Sequence, residues 1–435
     1  MAITNCRQKI LEADFHDINV AVPGINLLWK HKVLRSLSEL SWLATYMKRI
    51  YVDYAATTPV DPRVFEAMKP FFMENFGNAS SVNSSGVKAR QAVEEARAKI
   101  AGFMNADSPE ELIFTGSATE SNNLVIKGYT LKHWGAKTHI AVSTVEHDCV
   151  LNAAKWLKQL GYKVDFIPVD QYGIIDMNAL EKAIKEGANL VSIIHGNNEV
   201  GTIEPIEEIA RLCHKSNVLF HTDAAQSFGK LPIDVKKMSI DMMTINAHKL
   251  YGPKGVGALY IRKGIELTPL LHGGGHEFGL RSSTENVPGV VGFAKAVELR
   301  KDVMKPEAEK LTRLRDTLIK GALEIEDSYL NGHPTQRLPN NANFHFSYIE
   351  GEAIVLGLDM EGIEASSGSA CASKTELPSH VLLAIGLKPE VARGSLRISL
   401  GKYNTPEDID YILEVLPKVV RKLREMSPLT KNDQK

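Results

Sequence analysis

The sequence predicts an α/β protein: a large domain on a mainly parallel seven-stranded sheet, followed by a smaller α+β domain toward the C-terminal end. Three observations carry this. From about Glu111 to Arg262 short apolar runs alternate with helix-period segments, the pattern of strands joined by crossover helices. Polar residues gather just after those runs, where open α/β sheets meet ligands. After about Lys305 the alternation stops and a different order of elements begins.

Taken along the chain, Trp29, Val33, Leu37 and Leu40 recur at helical spacing, so an amphipathic helix is expected within the first 46 residues. Seven strands follow in the large domain. They are expected at Glu111–Phe114, Ile140–Ser143, Val164–Ile167, Leu190–Ile194, Val218–Phe220, Asp241–Thr244 and Gly257–Ile261. Helices are expected to open near Ala118 and near Asp148, and another spans Met177–Lys185. Beyond Lys305 the pattern predicts a helix over Ala308–Ile325 that leads into Asn343-Phe-His-Phe-Ser347, and a helix after Gly351. The loop Ala365–Lys374, a strand over Ser395–Ser399 and an amphipathic helix over Pro406–Arg424 complete the chain. Residues 426–435 are polar and are expected to fray.

Composition narrows the function classes. The 435 residues include 51 Lys and Arg against 52 Asp and Glu, a net charge of −1 that offers no footprint for nucleic acid or an anionic membrane. Apolar residues make up 44% and charged residues 24%, the balance of a globular protein with material for a large core. No apolar run approaches the roughly 20 residues of a membrane span. The four cysteines (Cys6, Cys149, Cys213, Cys371) form neither a disulfide framework nor a Cys-x-x-Cys pair. The mixed charges of the first residues fit no targeting signal, so a reducing, cytoplasmic setting is expected.

Three short segments carry chemistry. Asp223 follows an apolar strand at its C-terminal end, where a carboxylate meets a ligand; a turn is the plain alternative. Lys249, in Asn246-Ala-His-Lys-Leu-Tyr-Gly-Pro253, follows another strand and precedes a Gly-Pro turn. A lysine held there has an easily lowered pKa and suits Schiff-base chemistry, whereas most lysines are simply exposed. Phe114-Thr-Gly-Ser-Ala-Thr-Glu-Ser-Asn-Asn123 reads as strand, small-residue turn and helix start, a phosphate cradle or a plain N-cap. Together, cradle, acid and lysine are what an enzyme of pyridoxal phosphate (PLP) requires.

The motifs then match in order. ATTPVDP (Ala56–Pro62), FTGSATESNN, TVEHDCV (Thr144–Val150), HGNNEVGT (His195–Thr202), HTDAAQSFGKLPIDV and NAHKLYGPKG resemble those of the fold type I cysteine desulfurases. RSSTENVPG (Arg281–Gly289), LNGHPTQRLPN and SSGSACAS (Ser366–Ser373) extend the resemblance over about Lys48 to Arg424. The SSGSAC loop is similar to that of the branch serving iron–sulfur cluster assembly and nitrogen fixation. The resemblance implies a class V aminotransferase fold, with 61–305 as the large PLP-binding domain, 47–60 and 306–425 as the small domain, and 426–435 as a tail. Residues 1–46 stand outside it as an extension; translation from Met47, or docking of the extension's helix, is expected.

Residue by residue, the resemblance makes Lys249 the Schiff-base lysine, Asp223 the partner of the pyridinium nitrogen and His147 the imidazole stacked on the ring. Gln226 would donate to the phenolate oxygen. Ala118, Thr119, Asn246 and His248 would hold the phosphate, with Thr284 reaching in from the second subunit of a homodimer. Asn198 would serve both cofactor and substrate, and Arg397 would grip the substrate carboxylate through its guanidinium fork. Cys371, in a run of small residues, would take the sulfur of L-cysteine as a persulfide, leaving L-alanine, and pass it to an iron–sulfur scaffold or another acceptor. No resident metal is implied, although Cys371 could help ligate a transient cluster. Cys149 and Cys213 lie in helical patterns and are expected in the core. The alternatives are a related PLP lyase or aminotransferase, for instance one acting on selenocysteine, and a catalytically weak scaffold component. The chain departs from the family pattern at Asn246 (usually Ser), Asn83 (His), His276 (Gln), Phe278 (Arg), Ser283 (Gly) and in the order Gly116-Ser117.

Overall fold

A computed structural model describes residues 49–135, 138–367 and 378–428. The first strand, β1 (Ile50–Tyr51), precedes the seven of the main sheet. These are β2 (Leu112–Thr115), β3 (His139–Ser143), β4 (Lys163–Ile167), β5 (Leu190–Ser192), β6 (Leu219–Asp223), β7 (Met242–Asn246) and β8 (Gly257–Ile261). Their order is β2-β8-β7-β6-β5-β3-β4. Only β8 runs against its neighbours; the other pairings are parallel. The chain reverses its direction of travel across the sheet between β3 and β5, the switch point where such sheets bind ligands.

Strands covered on both faces must be apolar on both, and these are. Along β7 and β8, Met243, Ile245, Ala258 and Tyr260 enter one core with Phe220 and Phe293. Their alternates Met242, Leu259 and Ile261 enter the other with Ile140, Val142 and Leu151. This is the two-residue period of a strand applied to two buried faces.

The remaining strands are β9 (Ser328–Asn331), β10 (Asn341–Phe346), β11 (Ile363–Glu364) and β12 (Ser395–Ser399). β10 lies antiparallel between β12 and β9, while β1 pairs with β11 in parallel. Val52, Leu318, Phe344, Ile398 and Leu416 anchor a separate core there. Among the described residues no helix is long and apolar enough to cross a membrane.

Several bounds differ from expectation. The helix expected over Ala308–Ile325 is the second half of one 36-residue helix, Val287–Ala322, which contains Pro306. Its Phe293 and Val297 pack in the large core and its Leu311 and Leu318 in the small one. Glu111 ends a 3₁₀ turn closed by a capping box with Ser108 rather than starting a strand. β5 stops at Ser192, and β6 runs on through Asp223, so Asp223 ends its strand instead of following it. Residues 1–46, with their expected helix, lie outside the described residues.

Candidate active site

A cavity of about 670 Å³ opens at the carboxyl ends of β3, β5, β6 and β7. That volume suits a small cofactor with its substrate. Ala118, Thr119, His147, Asn198, Asp223, Gln226, Asn246, His248, Lys249 and Arg397 all line it. The strands bring them there from positions up to 279 residues apart in sequence, from Ala118 to Arg397.

Asp223 is buried at the end of β6. Its Oδ1 accepts the N–H of Ala225 at 2.9 Å and its Oδ2 the Nδ2 of Asn122 at 2.6 Å. Both bonds hold the carboxylate in one rotamer. Asn122 was not singled out from the sequence, although it stands within the cradle motif. It lies one turn inside the helix Ala118–Lys132, wholly buried beside Leu124 and Val125.

Ser117 caps that helix by accepting the N–H of Glu120 at 3.2 Å, which accounts for the Gly-Ser order: the serine is the N-cap. Glu120 returns a bond, accepting Gly116 N–H at 2.8 Å. The next amides, of Ala118 and Thr119, start a 15-residue helix and face an anion with the positive end of its dipole. Across the cavity His248 is held at about 4, first by burial and then by Lys249, Lys254 and Lys230, so its imidazole is neutral. Asn246 Oδ1 accepts the Lys249 N–H at 3.2 Å, which leaves the NH₂ end of this amide as the donor in place of the usual serine hydroxyl. Asn83 is accounted for as well: it caps the helix Ser84–Phe103 by accepting Gly86 N–H at 3.0 Å.

Lys249 Nζ donates to the carbonyls of Ala55 and Ala56, the second at 2.6 Å. Gln226 Nε2 donates to the same Ala55 carbonyl at 2.8 Å. Lysine and glutamine thus converge on one backbone carbonyl oxygen at the cavity wall.

His147 combines two roles. It is the N-cap of the helix Asp148–Gln159, its Nδ1 accepting the Cys149 N–H at 3.2 Å, and it lines the cavity. With Nδ1 engaged as an acceptor, Nε2 is the nitrogen left for proton transfer. Cys149, expected in the core, packs against it from the first turn but is only half-buried and also lines the cavity, its Sγ 3.0 Å from His147 Nδ1 and 3.1 Å from Asn122 Nδ2. The cap turns this residue toward the cavity before the helix's apolar face takes over. Burial, reinforced by the Asp223 charge, pushes its thiol up to about 12, against hydrogen bonds from Asn122 and Thr119. Cys149 is therefore a neutral thiol near pH 7 and a poor nucleophile. Cys213 is fully buried among Ile209, Ala210 and Val218, as expected.

At the far side Arg397, on β12, is 3% exposed. Its Nη2 donates to Asp53 Oδ1 at 2.8 Å and its Nη1 to the Asn198 carbonyl at 3.0 Å. Asp53 and Asn198 orient the guanidinium toward the cavity, and Asn198 Oδ1 is enclosed without a hydrogen-bond partner among the described residues. Cys371 falls in 368–377, outside the described residues. Those on either side of it meet the site: Ser366 exchanges two backbone bonds with Arg397, and Pro378, Ser379 and His380 line the cavity. Thr284 is exposed and does not line this chain's cavity.

PLP fits the residues present. A fixed carboxylate suits a pyridinium, a helix start with a neutral imidazole and an amide suits a phosphate, and an amine lines the same cavity. The unpartnered Asn198 oxygen is the kind of buried polar atom that a bound polar group satisfies.

Residues 50–412 match the family model "Aminotransferase class-V". Among curated proteins the chain is 54% identical over 379 residues to "Cysteine desulfurase IscS 1" of Archaeoglobus fulgidus, covering 87% of this chain and 99% of that one. It is 46% identical over 383 residues to "Cysteine desulfurase, mitochondrial" of Saccharomyces cerevisiae, covering 87% of this chain and 76% of that one. Among solved structures, a "NIFS-LIKE PROTEIN" superposes with a TM-score of 0.81 at 40% identity over 86% of this chain and all of the other. "SspA in complex with cysteine" does so with a TM-score of 0.73 at 40% identity over 82% of this chain and all of the other. With its sheet, its cavity and this match in agreement, the chain belongs to the class-V aminotransferase family.

Proposed function

We propose that this protein is a PLP-dependent cysteine desulfurase that converts L-cysteine to L-alanine and leaves the sulfur as a persulfide on Cys371, for iron–sulfur cluster assembly or another sulfur acceptor. One observation carries the reading: amine, carboxylate, imidazole and guanidinium (Lys249, Asp223, His147, Arg397) face a single cavity, bordered by the residues flanking the Cys371 segment. The high identity to curated cysteine desulfurases supports it.

In this reading Ala118, Thr119, Asn246 and His248 hold the cofactor's phosphate, Asp223 its ring nitrogen and Gln226 its phenolate oxygen. Bound PLP supplies an electron sink for the carbanion chemistry at the substrate's Cα. Arg397 and Asn198 orient the cysteine carboxylate. Lys249 Nζ and His147 Nε2 would move protons to and from the substrate. Cys371 thiolate attacks the substrate sulfur, so an S–S bond forms while the Cβ–S bond breaks with its electron pair left on carbon. Protonation there gives alanine, with no external oxidant. A second thiol then collects the outer sulfur. A transaminase would have no use for that thiol. We further place the protein in a reducing, cytoplasmic setting and in a homodimer.

L-cysteine is supplied to the PLP-loaded protein, and alanine and sulfide are assayed with and without a thiol reductant. Alanine should form once per enzyme thiol without reductant and catalytically with it, and Lys249→Ala should abolish turnover. A keto acid in place of alanine would sink the reading.

A further inference from the structure

A buried glutamine can place either end of its amide toward a ligand, and only one end donates. At Gln226 two neighbours decide the matter. The Ala55 carbonyl can only accept, so it requires the NH₂ end on its side, at 2.8 Å. On the other side Lys230 Nζ lies 2.9 Å from the Gln226 carbonyl and 3.3 Å from Gln226 Oε1. Charged or neutral, the lysine has two N–H groups for these two oxygens. Lys230 stands one turn beyond Gln226, in the Gln226-Ser-Phe-Gly-Lys230 turn, and lines a small cavity with Lys249, Tyr54, Tyr251, Arg300 and Glu307. Nothing in the reaction proposed above uses it.

We propose that Lys230 is a positioning residue for the cofactor: it locks the Gln226 amide so that its NH₂, and not its oxygen, faces the phenolate oxygen of bound PLP. This rests on the assignment of Gln226 to that oxygen. The lock has a cost that makes a merely ornamental lysine implausible. Burial, with Lys249 and Arg300 beside it and only Glu307 opposing, brings the Lys230 ammonium down to about 7. His248 is coupled to the same charge. A neutral side chain of equal length would avoid that cost and lose the lock.

The consequence is readable without turnover. A donor on the phenolate oxygen draws off negative charge that otherwise holds the proton on Lys249 Nζ in the cofactor-loaded protein. Without the donor, that proton is held more tightly. The experiment is a pH titration of the bound cofactor's visible absorbance, with cofactor dissociation rate as a second readout, in wild type, Gln226→Met, Lys230→Met and the double variant. Both single variants should raise the absorbance pKa, by about one unit as for the loss of one hydrogen bond to a charged form. The double variant should show little more than Gln226→Met alone. If Gln226→Met leaves the pKa unchanged, the assignment of Gln226 is wrong. If Gln226→Met shifts it while Lys230→Met does not, or if the two shifts add, the lock is overturned and the assignment survives. Should Lys230→Met not fold, Lys230→Ser carries the same comparison, because its short side chain cannot carry a donor to Gln226 Oε1; an unshifted pKa in that variant would equally overturn the lock.

Discussion

At the scale of residues, two cysteines compete for one task, and physical chemistry separates them. Cys149 reaches the cavity, but burial and Asp223 keep its proton on at neutral pH. Cys371→Ser should therefore abolish persulfide formation and lower alanine production by orders of magnitude, since a hydroxyl cannot replace a thiolate. Cys149→Ser should keep most activity. Mass spectrometry of the protein after a cysteine pulse checks both, and a persulfide found on Cys149 alone would reverse the assignment. Asp223 and Lys249 were legible because one ends a strand and the other lies in the turn just after one, where a charge needs a reason. Asn122 was not, because a polar residue on a buried helical stripe gives no sign of its partner 101 positions away. Cys149 was only half legible: it packs against the core as expected, and its place at the cavity was not foreseen. Its helical spacing indicates core, but the His147 cap places the first turn at the cavity wall.

Among elements, the parallel strands were readable because two buried faces require near-continuous apolar runs. The long helix Val287–Ala322 was not, because Pro288, Gly289 and Pro306 are breaking signals in sequence. Pro288 costs nothing in the first turn, where its missing N–H has no intrahelical partner. Pro306 is carried by a helix anchored in separate cores on either side of it. The phosphate cradle depends on a quieter element contact. Gly257 opens β8 between Thr115 of β2 and Asn246 of β7. A Cβ there would lie 2.7 Å from the Ser117 carbonyl carbon and 3.0 Å from the Ala118 amide nitrogen, both backbone. Gly257→Ala must push the helix start away from the sheet, and the overpacking should cost about 1–3 kcal/mol. A lowered melting temperature together with weaker PLP binding is expected. Gly102→Ala, where a Cβ meets nothing within 4 Å, is the control and should lower neither. Equal effects from the two variants would remove the cradle from the explanation.

For the whole molecule, the proposed homodimer accounts for two features of the surface. Phe65, Phe72, Met73, Phe76 and Val82 are more than half exposed within 18 consecutive residues, an apolar load that a lone chain would leave in water. Ala79 and Ser80, within that segment, share a groove of about 280 Å³ with Gly274–Phe278 and Glu285, the loop that carries Thr284. Arg281 of the same loop is bound to Glu120 in the cradle helix at 2.8 Å, so the loop is fixed to the body while Thr284 is exposed and does not line its own cavity. If Thr284 serves the phosphate of the partner's cofactor, complementation reveals it. Lys249→Ala removes a residue that works within its own chain, and Thr284→Ala one that works in the other. In a hybrid of the two variants, the site with an intact Lys249 then receives its threonine from the Lys249→Ala chain and is complete, while the second site lacks both. The hybrid should show about half the sites of wild type, with wild-type PLP affinity. Should Thr284 act within its own chain, each site would carry one lesion, and titration would find no site of wild-type affinity. A single-chain mass by light scattering in protein that turns over cysteine would remove the shared site altogether.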